Sequence, residues 1–125
     1  MRLHLKRHHL FLILAAATLA LNSCGKDPLS FDSSLLVGKW VAGTEYYRYD
    51  ADGNGATWDV ADDVHEEEAQ PFTWEYNDEN IRLTLIHQME MGGVVPKSYT
   101  ILALDATTLQ YKDGYDRIYT FSHVN

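Results

Sequence analysis

The chain has 125 residues, of which 46% are apolar and 22% charged, with three prolines and one cysteine. That is enough for one small domain, too apolar for a disordered chain, and without the cysteines for an internal disulfide or a cysteine-rich metal framework. It excludes a multidomain enzyme, a Rossmann-type nucleotide binder and a multispanning membrane protein; with 18 acids against 10 Lys and Arg, the balance is acidic.

Residues 1–9 carry Arg2, Lys6 and Arg7 and no acid. Leu10 to Leu21 is an apolar run of 12 residues broken only by Thr18. A spanning helix needs about 20 such residues, so the run is too short to cross a bilayer. A basic head, a short apolar middle and a small residue before a cut site make an export signal over residues 1–23. Leu21-Asn22-Ser23-Cys24 resembles the bacterial lipobox. The resemblance implies that Cys24 becomes the lipidated first residue of the mature chain. The simpler alternative is a secretory signal that leaves Cys24 as a free thiol. Acyl chains, each contributing about 0.8 kcal/mol per buried methylene, would anchor the chain to a membrane. Removing 1–23 leaves 7 Lys and Arg against 18 acids, a net charge of −11. Such a surface repels phosphate backbones, so nucleic acid is excluded as a partner.

Residues 24–34 read as a tether rich in Gly, Asp and Ser. Ser33 or Ser34 is expected to cap a single helical turn, Leu35-Leu36-Val37, which Gly38 stops. The domain, 35–125, then takes a period of two, the mark of strands. Strands are predicted over Lys39–Thr44, Glu45–Tyr49 and Ala56–Val60, with a dense turn at 50–55. Phe72, Trp74 and Tyr76 alternate in a fourth strand; Ile81, Leu83 and Leu85 alternate in a fifth. Val94–Leu104 is a long sixth, in which Pro96 fits only near the start or on an edge. Leu109 and Tyr111 mark a seventh, and Tyr115–His123 an eighth after the Asp113-Gly114 turn. Eight short strands joined by tight loops predict an all-β, eight-stranded antiparallel up-and-down barrel, which leaves no exposed edge. A two-sheet sandwich is the competing arrangement.

Gly38-Lys39-Trp40 opens the first strand just after a helical turn. This resembles the Gly-x-Trp signature of lipocalins and the wider calycin group. The segments Tyr47 to Gly55, Gln70 to Trp74 and Tyr119 to Phe121 are similar to small lipocalin-like lipoproteins of Gram-negative bacteria. The resemblance spans roughly residues 35–124. It implies a structural role for Gly38 and Trp40, with Trp40 closing one end of the barrel under an arginine from the last strand, here Arg117. It further implies an extracytoplasmic protein of the cell envelope, held by its anchor at the outer membrane.

Asp50-x-Asp52-x-Asn54-Gly55 matches the first half of a calcium loop, but places 9 and 12 are Trp58 and Ala61, and a hairpin turn explains the same residues. Asp63-Val64-His65-Glu66 resembles a capping box within an acidic stretch at 62–68, with Pro71 ending any helix. This stretch is a solvated connector, a lid over the barrel mouth or a cation site with His65. His87 and His123 lie near strand ends and read as rim residues. No motif for a catalytic nucleophile or a phosphate loop is present, so no catalytic residue, metal or cofactor is assigned. The aromatics mostly share one strand parity and mark the interior, as a filled core or as a pocket. As a pocket, Trp58, Trp74, Tyr76, Tyr99 and Tyr119 would contact a small hydrophobic or aromatic ligand, bound without chemistry. The competing reading is a protein-interaction, inhibitor or accessory module using the acidic loops 50–55 and 62–68.

Overall fold

The computed structural model describes residues 30–125. The expected export signal, Cys24 and most of the expected tether lie outside the described residues. A 3-10 turn, Ser33–Leu36, opens the domain. Its cap is Asp32, whose carboxylate accepts the Ser34 backbone N–H at 3.0 Å and the Ser34 hydroxyl at 2.7 Å. The cap therefore sits one residue earlier than expected: Asp32, and not Ser33 or Ser34, is the capping residue.

Eight strands follow: β1 Gly38–Ala42, β2 Glu45–Tyr49, β3 Asn54–Asp59, β4 Gln70–Asn77, β5 Arg82–Gln88, β6 Val94–Leu104, β7 Thr108–Lys112 and β8 Ile118–Val124. Each pairs antiparallel with the next, and β8 pairs back onto β1, giving a closed up-and-down barrel. That closure rules out the sandwich, and the architecture is consistent with a lipocalin-like fold. Pro96 lies opposite Ile86 of β5, in the part of β6 that β7 does not reach. Its missing N–H therefore interrupts no β6–β7 hydrogen bond.

The barrel has two unlike ends. The 3-10 turn and the connections 50–53, 78–81 and 105–107 form the base, while 43–44, 60–69, 89–93 and 113–117 form the mouth. Toward the base the interior is filled. Trp40, Tyr49, Phe72, Leu83, Leu85, Ile101, Leu109, Tyr111 and Phe121 are each at most 3% exposed. Trp40 plugs this end, and its indole Nε1 donates to the Leu36 carbonyl at 2.9 Å, tying the 3-10 turn across the base.

Arg117 does not lie over Trp40. The Asp113 carboxylate accepts the Tyr115 and Arg117 backbone N–H groups at 2.8 and 3.0 Å, which folds 113–117 into a turn and starts β8 at Ile118. This turn belongs to the mouth, whereas Trp40 is at the base. The Arg117 side chain is 70% exposed, pairs with Asp113 at 3.2 Å and lies over the Tyr115 ring at 5.7 Å. The link between first and last strand is made by His123, which meets Trp40 edge-on with ring centroids 5.0 Å apart. Gly38, at φ 134°, permits this contact, since a Cβ there would lie 2.8 Å from His123 Nε2.

Trp58 is likewise not an interior residue. Register places it opposite Tyr46, one step out of phase with the inward Tyr47, and the two rings stack on the outer face at 5.3 Å. The 60–69 connection covers them. Lys39 and Arg48 are direct cross-strand partners on the same face, where like charges repel. The Glu66 carboxylate bridges them, at 2.7 Å from Lys39 Nζ and 3.0 Å from Arg48 Nη1. No capping box forms here, because Asp63 takes φ 57° and His65 makes no side-chain cap to the 3-10 turn Glu66–Glu68. Pro71 sits in β4 opposite Ala56.

The bonds from Lys39 and then Arg48 hold the Glu66 carboxyl below its usual value of 4.5. A lowered carboxylate pKa stabilises the fold above the unfolded value, and that stability is lost as pH falls through the folded value. Solvent screening keeps it to about 0.5–1 kcal/mol. Glu66→Gln should therefore melt lower than wild type at pH 7, and the gap should close below pH 4.5. A gap independent of pH in thermal melts would show that Glu66 carries no such clasp.

Candidate site at the barrel mouth

The mouth opens into a cleft of about 610 Å³. It forms because β3 and β4 pair only as far as Thr57 and Gln70, leaving Trp58, Asp59 and the 60–69 connection to spread the rim. Glu45 and Tyr47 of β2 and Thr57 and Asp59 of β3 line one side. Gln70 of β4, His87 of β5 and Lys97 of β6 line the other.

His87 is the unusual member. It continues the alternation of Leu83 and Leu85, so its ring turns inward and is only 8% exposed, against Phe72 at 5.5 Å. Its Nε2 is buried with no hydrogen-bond partner among the described residues. Burial, and secondarily the charge of Lys97, push its pKa down, so the imidazole is neutral at pH 7. An unpartnered buried polar atom costs about 1–3 kcal/mol, which a ligand that pairs with it would recover.

Tyrosines stand deeper and across the mouth. Tyr99 stacks on Tyr111 at 4.2 Å and meets Tyr119 edge-on at 6.1 Å. Tyr47 meets Phe121 edge-on at 5.4 Å. The Tyr119 hydroxyl donates to the Asp113 carboxylate at 3.1 Å. Burial above all pushes the Tyr47 phenol up and the Tyr99 phenol to about 12, and the Glu45 charge adds to both and to Tyr119. All three phenols therefore stay neutral, and the Glu45 carboxylate acts on all of them.

The five residues expected to form one ligand pocket do not converge. Tyr99 and Tyr119 stand at the mouth side. Trp58 borders the cleft from the outer face. Trp74 belongs to the base, where its Nε1 donates to the Asp50 and Asn54 carbonyls at 3.0 and 3.1 Å. Tyr76 is near the lower end of β4, opposite Leu83. Glu45, Tyr47, Asp59, His87 and Lys97 were not expected as site residues. Strand parity carried the signal for Tyr47 and His87.

The 50–55 loop is a hairpin. Asp50 is gripped by Arg48 at 3.1 Å, and Asp52 accepts the Asn54 N–H at 3.0 Å. Among the described residues no group of three or more His, Cys, Asp and Glu side chains is placed to hold a metal ion. Comparison of the chain with protein-family models, curated proteins and solved structures returns no match. Fold and site together define a closed β-barrel able to admit a ligand at one end.

Proposed function

We propose that this is a lipocalin-like, lipid-anchored protein of the cell envelope that binds a small hydrophobic or aromatic ligand at its barrel mouth without transforming it. The observation that carries the reading is the contrast between the ends: Trp40 and its neighbours fill the base, while a cleft of about 610 Å³ stands open at the mouth. A cleft of this size suits one small molecule. Its lining sets Tyr47, Trp58 and the neutral His87 imidazole among carboxylates and one lysine, which orient a ligand. The first described residues, 30–32, lead into the barrel at the base, the end opposite the mouth. The acidic loops support a docking role less well, because Asp50 and Glu66 are engaged by Arg48 and Lys39.

The test has two arms. A neutral environment-sensitive dye such as Nile red should titrate the mouth, and Gln70→Trp, at an exposed lining position, should weaken it about tenfold or more without lowering the melting temperature. Equal dye affinity in the variant would remove the mouth as the site. Cys24→Ala should move the protein from the membrane to the soluble fraction, and unchanged partitioning would remove the anchor.

A further inference from the structure

We propose that the mouth selects ligands bearing a protonated amine beside an apolar or aromatic body, with Glu45 as the counter-ion and His87 as a hydrogen-bond acceptor. This rests on the mouth being the binding site and adds the charge class of its ligand.

The first ground is a juxtaposition of like charges. Glu45 and Asp59 are direct cross-strand partners and share the inward parity of Tyr47 and Thr57. Like charges so placed destabilise a sheet. Elsewhere on this barrel the same problem is solved internally, by Glu66 between Lys39 and Arg48. At the mouth neither Glu45 nor Asp59 forms an ion pair among the described residues. Asp59 Oδ1 accepts the Ala61 backbone N–H at 2.9 Å. A cation seated between them would do what Glu66 does on the outer face.

The second ground is independent of charge. His87 is buried, lines the cleft and leaves Nε2 without a partner. In its Nδ1–H tautomer the neutral imidazole presents Nε2 as an acceptor, and an ammonium N–H is a strong donor to it. The third ground is the aromatic surface. The Tyr47 phenol lines the cleft together with Glu45, and phenol faces attract cations. The lining as a whole sets Glu45, Asp59, Asp62, Glu68 and Glu90 against the single cation Lys97. A cleft so charged concentrates cations and repels carboxylates, so a fatty acid is a poor fit.

Three probes that share a phenyl ring and differ in charge decide the matter by calorimetry at pH 7: 2-phenylethylamine, 2-phenylethanol and 3-phenylpropanoate. The amine should bind about tenfold or more tightly than the alcohol, the gain expected of one charge-assisted contact, and the carboxylate should bind weakest. Glu45→Gln should erase the amine's advantage over the alcohol. It should melt no lower than wild type, since it removes one of two opposed carboxylates. The proposal is overturned if the alcohol or carboxylate matches the amine, if the preference survives in Glu45→Gln, or if none of the three binds. If Nile red still saturates the mouth in those cases, only the charge class fails; if the dye fails as well, the binding site fails with it.

Discussion

Trp40→Ala is expected to cost about 3–5 kcal/mol, the range for removing a fully buried large aromatic. Domains of this size are stable by about 5–15 kcal/mol, so the loss is a large share of the whole. Two effects combine. The indole is fully buried in the base and touches His123 of the closing strand. Its removal also strips the Leu36 carbonyl of its donor and frees the 3-10 turn from the barrel. The melting temperature should fall by about 4–8 °C for each kcal/mol lost. Trp40→Phe separates the effects, since it keeps most of the ring volume and gives up the hydrogen bond. Denaturant melts in which Trp40→Ala loses less than about 1 kcal/mol would mean that the base collapses around the gap, and Trp40 would not be a plug.

Gly55→Ala comes next in size. A Cβ at this position would lie 2.5 Å from the Arg48 carbonyl oxygen and 2.5 Å from Phe72 Cε1. The first atom is backbone in the β2–β3 ladder and the second belongs to a buried ring, so neither gives way cheaply. Overpacking of this kind costs about 1–3 kcal/mol or more. Gly114→Ala is the matched control, because nothing lies within 4 Å of its Cβ and its φ is ordinary, and it should stay within about 0.5 kcal/mol of wild type. Equal stability of the two variants in urea titrations would show that β2 and β4 do not close over Gly55.

The strands were legible because each keeps a strict alternation around large residues. Phe72, Trp74 and Tyr76 in β4, and Leu83 and Leu85 in β5, announce their spacing without help from neighbours. What alternation cannot supply is which parity faces in. Trp58 has the right period and the wrong side: only its pairing with Tyr46 places it outside, beneath a connection whose cover depends on Glu66, far away in sequence. Arg117 was misplaced for a local reason, since Asp113 captures the backbone of 113–117 and delays the start of β8. Ile81 behaves alike, taking φ 50° and leaving β5 to begin at Arg82. The site was least legible because its polar members mimic surface residues. Glu45 and Lys97 sit on the inward parity near strand ends, where a sequence reading assigns charge to solvent. His87 was within reach, as the next inward step after Leu85.

The ring of strands is fastened unevenly. β8 meets β1 over three register pairs, against seven between β5 and β6. So short a seam is the natural place for the cylinder to unzip, and the edge-on contact of Trp40 with His123 spans it. The indole that stoppers the barrel is thus also its buckle: whatever loosens that one side chain unseals the floor and parts the wall together.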